Sequence, residues 1–172
     1  HTAYRRQRQM CIRDRENGLR NYVLVIASQA LHATGYAMGQ VFDGASGTGD
    51  PERDEATIVY FGDGATSQGD LNEALVFARS FNTPQVFFLQ NNHWAISIPV
   101  RVQSPVPLYR RAHGFGMPGV QLDGNDVMAS WAVTGHHLDE ARAGSGPAFI
   151  EALTYRVGPV SYTHLRAHET VL

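Results

Sequence analysis

The stretch between Thr57 and Asn92 constrains this 172-residue chain more than any other. An apolar run at 57–61 (TIVYF) leads into Gly62-Asp63-Gly64-Ala65-Thr66-Ser67-Gln68-Gly69-Asp70. A helix-like run follows, then a second apolar run at 85–90 (QVFFLQ) that ends on Asn91-Asn92. Strand, Gly-rich turn, helix, strand and polar turn, in that order, are the parts of a βαβ unit in a parallel sheet. Ligands of open α/β sheets bind at the carboxyl ends of the strands, so Asp63 and Asn92 are expected to face one crevice. Leu71, Ala74, Leu75 and Ala78 recur at helical spacing and are expected to face the sheet. Glu73, close to the helix start, reads as a dipole partner rather than a catalytic acid. The segment 82–84 (NTP) is the stop signal.

The polar residues of this unit have a definite chemistry. Gly62 and Gly64 are expected to bring backbone N–H groups close to an anion. The helix starting near Gly69 aims its positive end the same way. Asp63 and Asn92 supply one carboxylate and one amide oxygen, hard ligands suited to Mg²⁺, which usually shares its shell with phosphate and water. The pattern predicts a diphosphate cofactor held through Mg²⁺.

Gly-Asp-Gly, 26 intervening residues and Asn-Asn together form the thiamine diphosphate motif. The surrounding text, GDGATSQGDLNEAL and FFLQNNHWAIS, resembles the alpha subunit of the decarboxylating component of 2-oxo acid dehydrogenase complexes, pyruvate or branched-chain. The resemblance runs from about Tyr22 to Gly158 and includes SQALHATGYAMG, PLYRRAHGFGMPGVQLDGNDV and GPAFIEALTYRVGP. It implies an α/β thiamine diphosphate-binding fold, a mostly parallel sheet flanked by helices. It implies oxidative decarboxylation of a 2-oxo acid with acyl transfer to lipoyl groups. This chain would work beside a beta subunit in a heterotetramer, with a lipoyl-bearing acyltransferase as the next enzyme. An acetoin dehydrogenase alpha subunit, a non-catalytic fragment keeping only the fold, and an unrelated phosphate-binding α/β domain stay open beside it.

The resemblance also carries roles onto single positions. Asp63, Asn92 and the Trp94 carbonyl fall on the Mg²⁺ ligands. Gly62, Gly64 and Ala65 fall at the diphosphate. Leu24 and Ile26 match a loop that touches the cofactor's rings through backbone groups, although plain core is an equal reading of Ile26. Ile96 matches an apolar residue beside the thiazolium. Gln90 stands where several relatives have a phosphate-binding Arg and brings no charge. Ser28 and Gln29 match a monovalent-cation loop. The family's diphosphate-touching His downstream is replaced by Val160, and His164 is out of register, so no catalytic residue is assigned. The upstream Tyr-Arg pair is also missing from the text, and the chain reads as a central fragment.

The rest of the chain is read more simply. Residues 22–26 (YVLVI) look like a buried strand and 30–42 a helix, whose Ala33, Gly35, Ala37 and Gly39 would let it pack closely on a neighbour. His32 on it reads as structural. Residues 43–55 read as a solvated loop, since no Gly-x-Gly-x-x-Gly lies between strand and helix. Residues 109–115 read as a short helix and 120–123 as a strand. Gly124-Asn125-Asp126 are expected to cap a helix over 127–142. This helix should cover the sheet with Met128, Trp131, Ala132 and Leu138. Adjacent His136 and His137 diverge on a helix and do not suggest a metal. A final strand is expected over 147–155.

The totals exclude some classes. A formal charge of −2 favours neither nucleic acid nor a membrane surface. All 14 basic residues are Arg, and residues 16–158 hold 8 of them against 14 acidic residues. No apolar run nears the ~20 residues of a bilayer span, and the start shows no signal-peptide core. The lone Cys11 allows no internal disulfide. A cytoplasmic setting is expected. Residues 1–15 and 159–172 are expected to lie outside the domain, resembling translated adapter or junction text, with the domain over 16–158.

Overall fold

The computed structural model describes Gly18 and residues 25–158. The expectations for 1–15, for 159–172 and for Leu24 therefore lie outside the described residues. Helix α1 (Ser28–Phe42) comes first, then strand β1 (Thr57–Gly62), a 3₁₀ turn (Asp63–Ser67) and helix α2 (Gly69–Ser80). Strand β2 (Gln85–Asn91) leads into a small ribbon, β3 (Trp94–Ala95) and β4 (Ile98–Pro99). Two short helices follow, α3 (Val100–Gln103) and α4 (Arg110–Gly114), then β5 (Gly119–Asp123), α5 (Val127–Arg142) and β6 (Ala148–Leu153).

The four long strands form one parallel sheet in the order β1-β2-β6-β5. Its central strands β2 and β6 are buried on both faces, which is why they read as continuous apolar runs rather than alternating ones. Register sets Phe61 beside Leu89, Leu89 beside Glu151, and Glu151 beside Gln121. On that face Val59, Phe61, Phe87, Leu89 and Phe149 pack against Ala30 of α1 and against Leu71, Ala74, Leu75 and Ala78 of α2. The four α2 positions are those the helical spacing picked out. Phe149 stacks on Phe87 at 6.4 Å between ring centroids and meets Phe61 edge-on at 5.8 Å. On the opposite face Val86, Phe88, Leu122, Ile150 and Ala152 are covered by Val133 and Leu138 of α5.

Four expectations need correction. Val25 and Ile26 are not in a buried strand; they are 60% and 53% exposed in a turn. The Val25 carbonyl accepts from both the Ser28 N–H and the Ser28 hydroxyl, which turns the chain into α1. Helix α5 does cover the sheet, but not with Met128 and Trp131, which are 74% and 80% exposed in its early turns. Ala132 is exposed too, whereas Val133 and Leu138 make the contact. Gly35 and Gly39 of α1 meet no neighbour, since an added Cβ would find no atom within 4 Å. Ala37 is buried and Ala33 packs against the core as expected, and Ala30, Thr34 and Gln40 are the other buried positions. The loop over 43–55 is not merely solvated. Its buried Asp54 carboxylate accepts from the Thr48 N–H at 2.9 Å, the Thr48 hydroxyl at 2.8 Å and the Gly49 N–H at 3.0 Å. These bonds, the Thr48 N–H foremost, hold the Asp54 carboxyl below its ordinary pKa.

Candidate magnesium and diphosphate site

Asp63, Gly64, Asn92 and Trp94 gather beyond the carboxyl ends of β1 and β2. Strand β1 ends at Gly62, whose backbone is extended, and Asp63 opens the 3₁₀ turn. The Asp63 side chain is only 1% exposed. Its carboxylate accepts from the Gln103 amide at 3.2 Å, and its backbone carbonyl accepts from the Thr66 hydroxyl at 2.7 Å. Burial pushes the Asp63 carboxyl above the usual carboxylate range. The Gln103 amide, Asp63's own backbone N–H, the His93 charge and the Asn92 N–H each pull it back. No described Lys, Arg or His forms a salt bridge with it.

The glycines work differently from expectation. Neither Gly62 nor Gly64 has a positive φ. Gly64 is required by a close approach: a Cβ there would lie 2.9 Å from the Ala95 Cβ of β3. Gly62 borders open space, with nothing within 4 Å of an added Cβ. Ala65 is buried in the 3₁₀ turn, and its carbonyl accepts from the Gln68 N–H. Helix α2 then starts at Gly69 without a side-chain cap, which leaves its first N–H groups free for an anion.

The end of β2 is a double turn. The Asn91 amide oxygen accepts from the His93 N–H at 2.9 Å, and the Asn92 amide oxygen accepts from the Trp94 N–H at 3.0 Å. These successive Asx turns force His93 to a φ of 69° and bring Trp94 back towards the 3₁₀ turn, where β3 packs. Ile96, at the tip of the β3–β4 ribbon, has a φ of 56°, and Ala27 before α1 has a φ of 72°. Left-handed backbone costs a β-branched residue such as Ile96 of order 1–3 kcal/mol and clusters at functional sites. Ile96 is 49% exposed, an apolar side chain available to a ligand.

Several supporting residues carry no legible signal in the sequence. Gln103 joins Asp63 to Ser67, whose hydroxyl donates to the Gln103 amide oxygen at 3.1 Å. Arg111 of α4 donates to the Thr66 carbonyl, and buried Arg156 donates to the Ile96 and Gly158 carbonyls. Glu151 of β6 accepts from the Asn91 amide at 2.7 Å. All four reach the site from distant segments, and only proximity in the fold reveals them.

The structure thus brings together Asp63, Gly64, Asn92 and Trp94, with Ala65 behind them and Ile96 on the neighbouring ribbon. Gln90 is exposed near the end of β2, in register with Gly62 and on the face opposite Asn91. Ile26 lies on an exposed turn ahead of α1. A shallow hollow lined by His93, Gln121, Asp123, Asn125 and Thr154 lies past β5 and β6 and includes none of the predicted ligands. Among the described residues no three His, Cys, Asp or Glu side chains converge as a metal cage. Mg²⁺ does not need one, because it takes one or two carboxylates and completes its shell with phosphate and water. A buried carboxylate without a cation, an amide oxygen beside it and an uncapped helix start fit a magnesium-bound diphosphate.

Comparisons with known proteins give the family and the fold. The chain is 51% identical over 136 residues to the 3-methyl-2-oxobutanoate dehydrogenase subunit alpha of Mycobacterium tuberculosis, covering 78% of this chain and 35% of that protein. It is 42% identical over 137 residues to the pyruvate dehydrogenase E1 component subunit alpha of Acholeplasma laidlawii, covering 79% and 37%. The chain therefore spans about a third of the length of these curated relatives. A transketolase from Pichia stipitis has the same fold, with a TM-score of 0.64 at 18% identity over 85% of this chain and 24% of the other. A transketolase from Leishmania mexicana gives 0.57 at 20% identity over 77% and 20%. The family model described as the dehydrogenase E1 component matches residues 4–163, and the chain belongs to that family.

Proposed function

We propose that this chain supplies the magnesium–diphosphate half of the active site in the alpha subunit of a thiamine diphosphate-dependent 2-oxo acid dehydrogenase. One observation carries the reading: Asp63 is a buried carboxylate with no salt bridge among the described residues, set beside the Asx turns of Asn91 and Asn92. Leaving a buried charge unpaired is costly, and a bound divalent ion removes the cost. Asp63, the Asn92 amide oxygen and the Trp94 carbonyl hold Mg²⁺ in this reading. The backbone of Gly62, Gly64 and Ala65 lines the diphosphate, with the start of α2 behind it. Ile96 gives apolar support on the thiazolium side, Gln90 offers a neutral donor, and the backbone of Leu24 and Ile26 meets the rings.

When bound, thiamine diphosphate supplies an electron sink for loss of CO₂ from a 2-oxo acid. This chain's residues bind and orient it. A beta subunit completes the site, and a lipoyl-bearing acyltransferase receives the acyl group. The higher identity to the 3-methyl-2-oxobutanoate enzyme than to the pyruvate enzyme, 51% against 42%, supports the branched-chain substrate first. The absence of a membrane-spanning helix among the described residues is compatible with a cytoplasmic setting.

The test uses the full-length alpha subunit assembled with its beta partner. Thiamine diphosphate binding is expected to require Mg²⁺, and Asp63→Ala to lose roughly 100-fold or more in affinity, the upper range for disrupting metal coordination. Tight binding by that variant in a chelator would sink the metal assignment. Turnover of the whole complex with 3-methyl-2-oxobutanoate, pyruvate and acetoin ranks the substrates.

A further inference from the structure

We infer that Glu151 is a positioning residue for the magnesium site, acting through the Asn91 amide; the inference rests on the magnesium reading above. Glu151 sits in β6, an interior strand, and is 1% exposed, in register with Leu89 on one side and Gln121 on the other. A carboxylate there is costly unless every lone pair in reach is used. Three donors use them. The Asn91 amide donates to Oε1 at 2.7 Å, while the Tyr109 backbone N–H and the Gln121 amide each donate to Oε2 at 3.0 Å. No described cation forms a salt bridge with it.

The arrangement fixes a polarity. A carboxylate accepts only, so it must face the NH₂ side of Asn91. The amide oxygen of Asn91 is thereby turned to the His93 N–H, a group that only donates. That bond closes the first Asx turn and holds His93 at its left-handed φ of 69°. Asn92, the proposed ligand, lies inside this turn, and Trp94, the proposed carbonyl ligand, follows it. Reversing the Asn91 amide sets its NH₂ against the His93 N–H and opens the turn. Glu151 thus sets the direction of the hydrogen-bond chain that shapes the metal-binding loop, without touching the metal.

A polarity swap tests this. Glu151→Gln keeps the shape but gives one acceptor and one donor. Its carbonyl can serve the Tyr109 N–H and Gln121, leaving its NH₂ against the NH₂ of Asn91. Adding Asn91→Asp moves the carboxylate across the bond: the Gln amide donates to it, and its second oxygen accepts from the His93 N–H. In the assembled full-length heteromer, the measurement is the Mg²⁺ concentration that half-saturates thiamine diphosphate binding, read by quenching of protein fluorescence. Glu151→Gln is expected to raise it roughly 10–100-fold, and the double variant to restore it to within roughly threefold of the parent. Loss of thermal stability in Glu151→Gln with an unmoved Mg²⁺ midpoint would overturn the inference, because the carboxylate would then be structural only. If Glu151→Gln does not assemble, the double variant decides alone: a parental midpoint supports the relay and a raised one overturns it. Parent protein that binds the cofactor equally well in a chelator refutes the magnesium reading itself, a result separate from any variant.

Discussion

The two ends of the sheet differ in how fully their polar groups are paired and their backbone relaxed. At the amino end, most polar groups are paired within the chain, although the buried Gln85 amide nitrogen finds no partner among the described residues and Asn82 holds a φ of 48°. The Asn82 side chain donates to the Gly144 carbonyl at 2.9 Å and accepts from Arg79 at 3.0 Å. The Thr57 N–H reaches the Pro84 carbonyl at 2.8 Å, and the Phe149 N–H reaches the Pro118 carbonyl at 3.0 Å. At the carboxyl end, and among the described residues, the buried Asp63 carboxylate has no salt bridge, a buried guanidinium nitrogen of Arg156 has no partner, and three non-glycine residues hold left-handed backbone. The two ends thus differ in degree: one orphaned amide and one left-handed residue at the amino end, against a carboxylate without a salt bridge, an orphaned guanidinium nitrogen and three left-handed residues at the carboxyl end. Strain and unpaired charge of this kind are stored where a ligand repays them.

The largest expected effect tests the shared foundation of both ends. Phe149→Ala, which removes the ring that packs on both Phe61 and Phe87, should destabilise the full-length subunit by about 3–5 kcal/mol in urea unfolding. A cost below about 1 kcal/mol would show that the two ends do not share one core. Next comes the unpaired charge. Asp63→Asn should raise the stability of the cofactor-free subunit at neutral pH by about 1–3 kcal/mol while abolishing the Mg²⁺ dependence of cofactor binding. The sign follows from the raised pKa of Asp63. The folded state holds that proton more tightly than the unfolded one, so this group's contribution is complete below the unfolded carboxylate value. It is lost as pH rises through the folded value. The advantage of Asn over Asp should therefore vanish in acid, and an advantage that grows as pH falls would contradict the burial argument. The smallest effect is backbone strain. Ile96→Gly should change cofactor-free stability by less than about 1 kcal/mol, relief of the left-handed φ offsetting the looser unfolded chain. It should still weaken cofactor binding measurably, and unchanged binding would remove Ile96 from the site.

The same contrast separates what the sequence shows from what it hides. The βαβ unit was legible because its parts are local: apolar runs for buried strands, helical spacing at Leu71, Ala74, Leu75 and Ala78, and turn residues at both ends. Asp63 and Asn92 were legible because their neighbours in sequence are also their neighbours in the site. Gln103, Arg111, Arg156 and Glu151 were not, since each reaches the site across a fold that no local pattern encodes. Gln103 contacts Asp63 across 40 residues of chain. The apolar run ending at Ile26 was misread because hydrophobicity alone does not distinguish a strand from a turn that a Ser28 hydroxyl closes. Met128 and Trp131 were misassigned because an apolar side chain early in a helix does not report which part of the helix meets the sheet. The glycine of Gly-Asp-Gly was recognised, but its physical reason is the approach of Ala95, which belongs to another strand.

The bond between Asn91 and Glu151 also sets a timetable. It spans 60 residues, and the strand that carries Glu151 is the last of the described strands in chain order. Contacts of such long range form late, because the loop between them must close first. A nascent chain displays the whole Gly-Asp-Gly to Asn-Asn text long before β6 can dock. During that interval it has the motif without the turn geometry. The turn geometry around Asn91 and Asn92 should therefore arise in one step, when β6 slots between β2 and β5, rather than growing as the motif is synthesised.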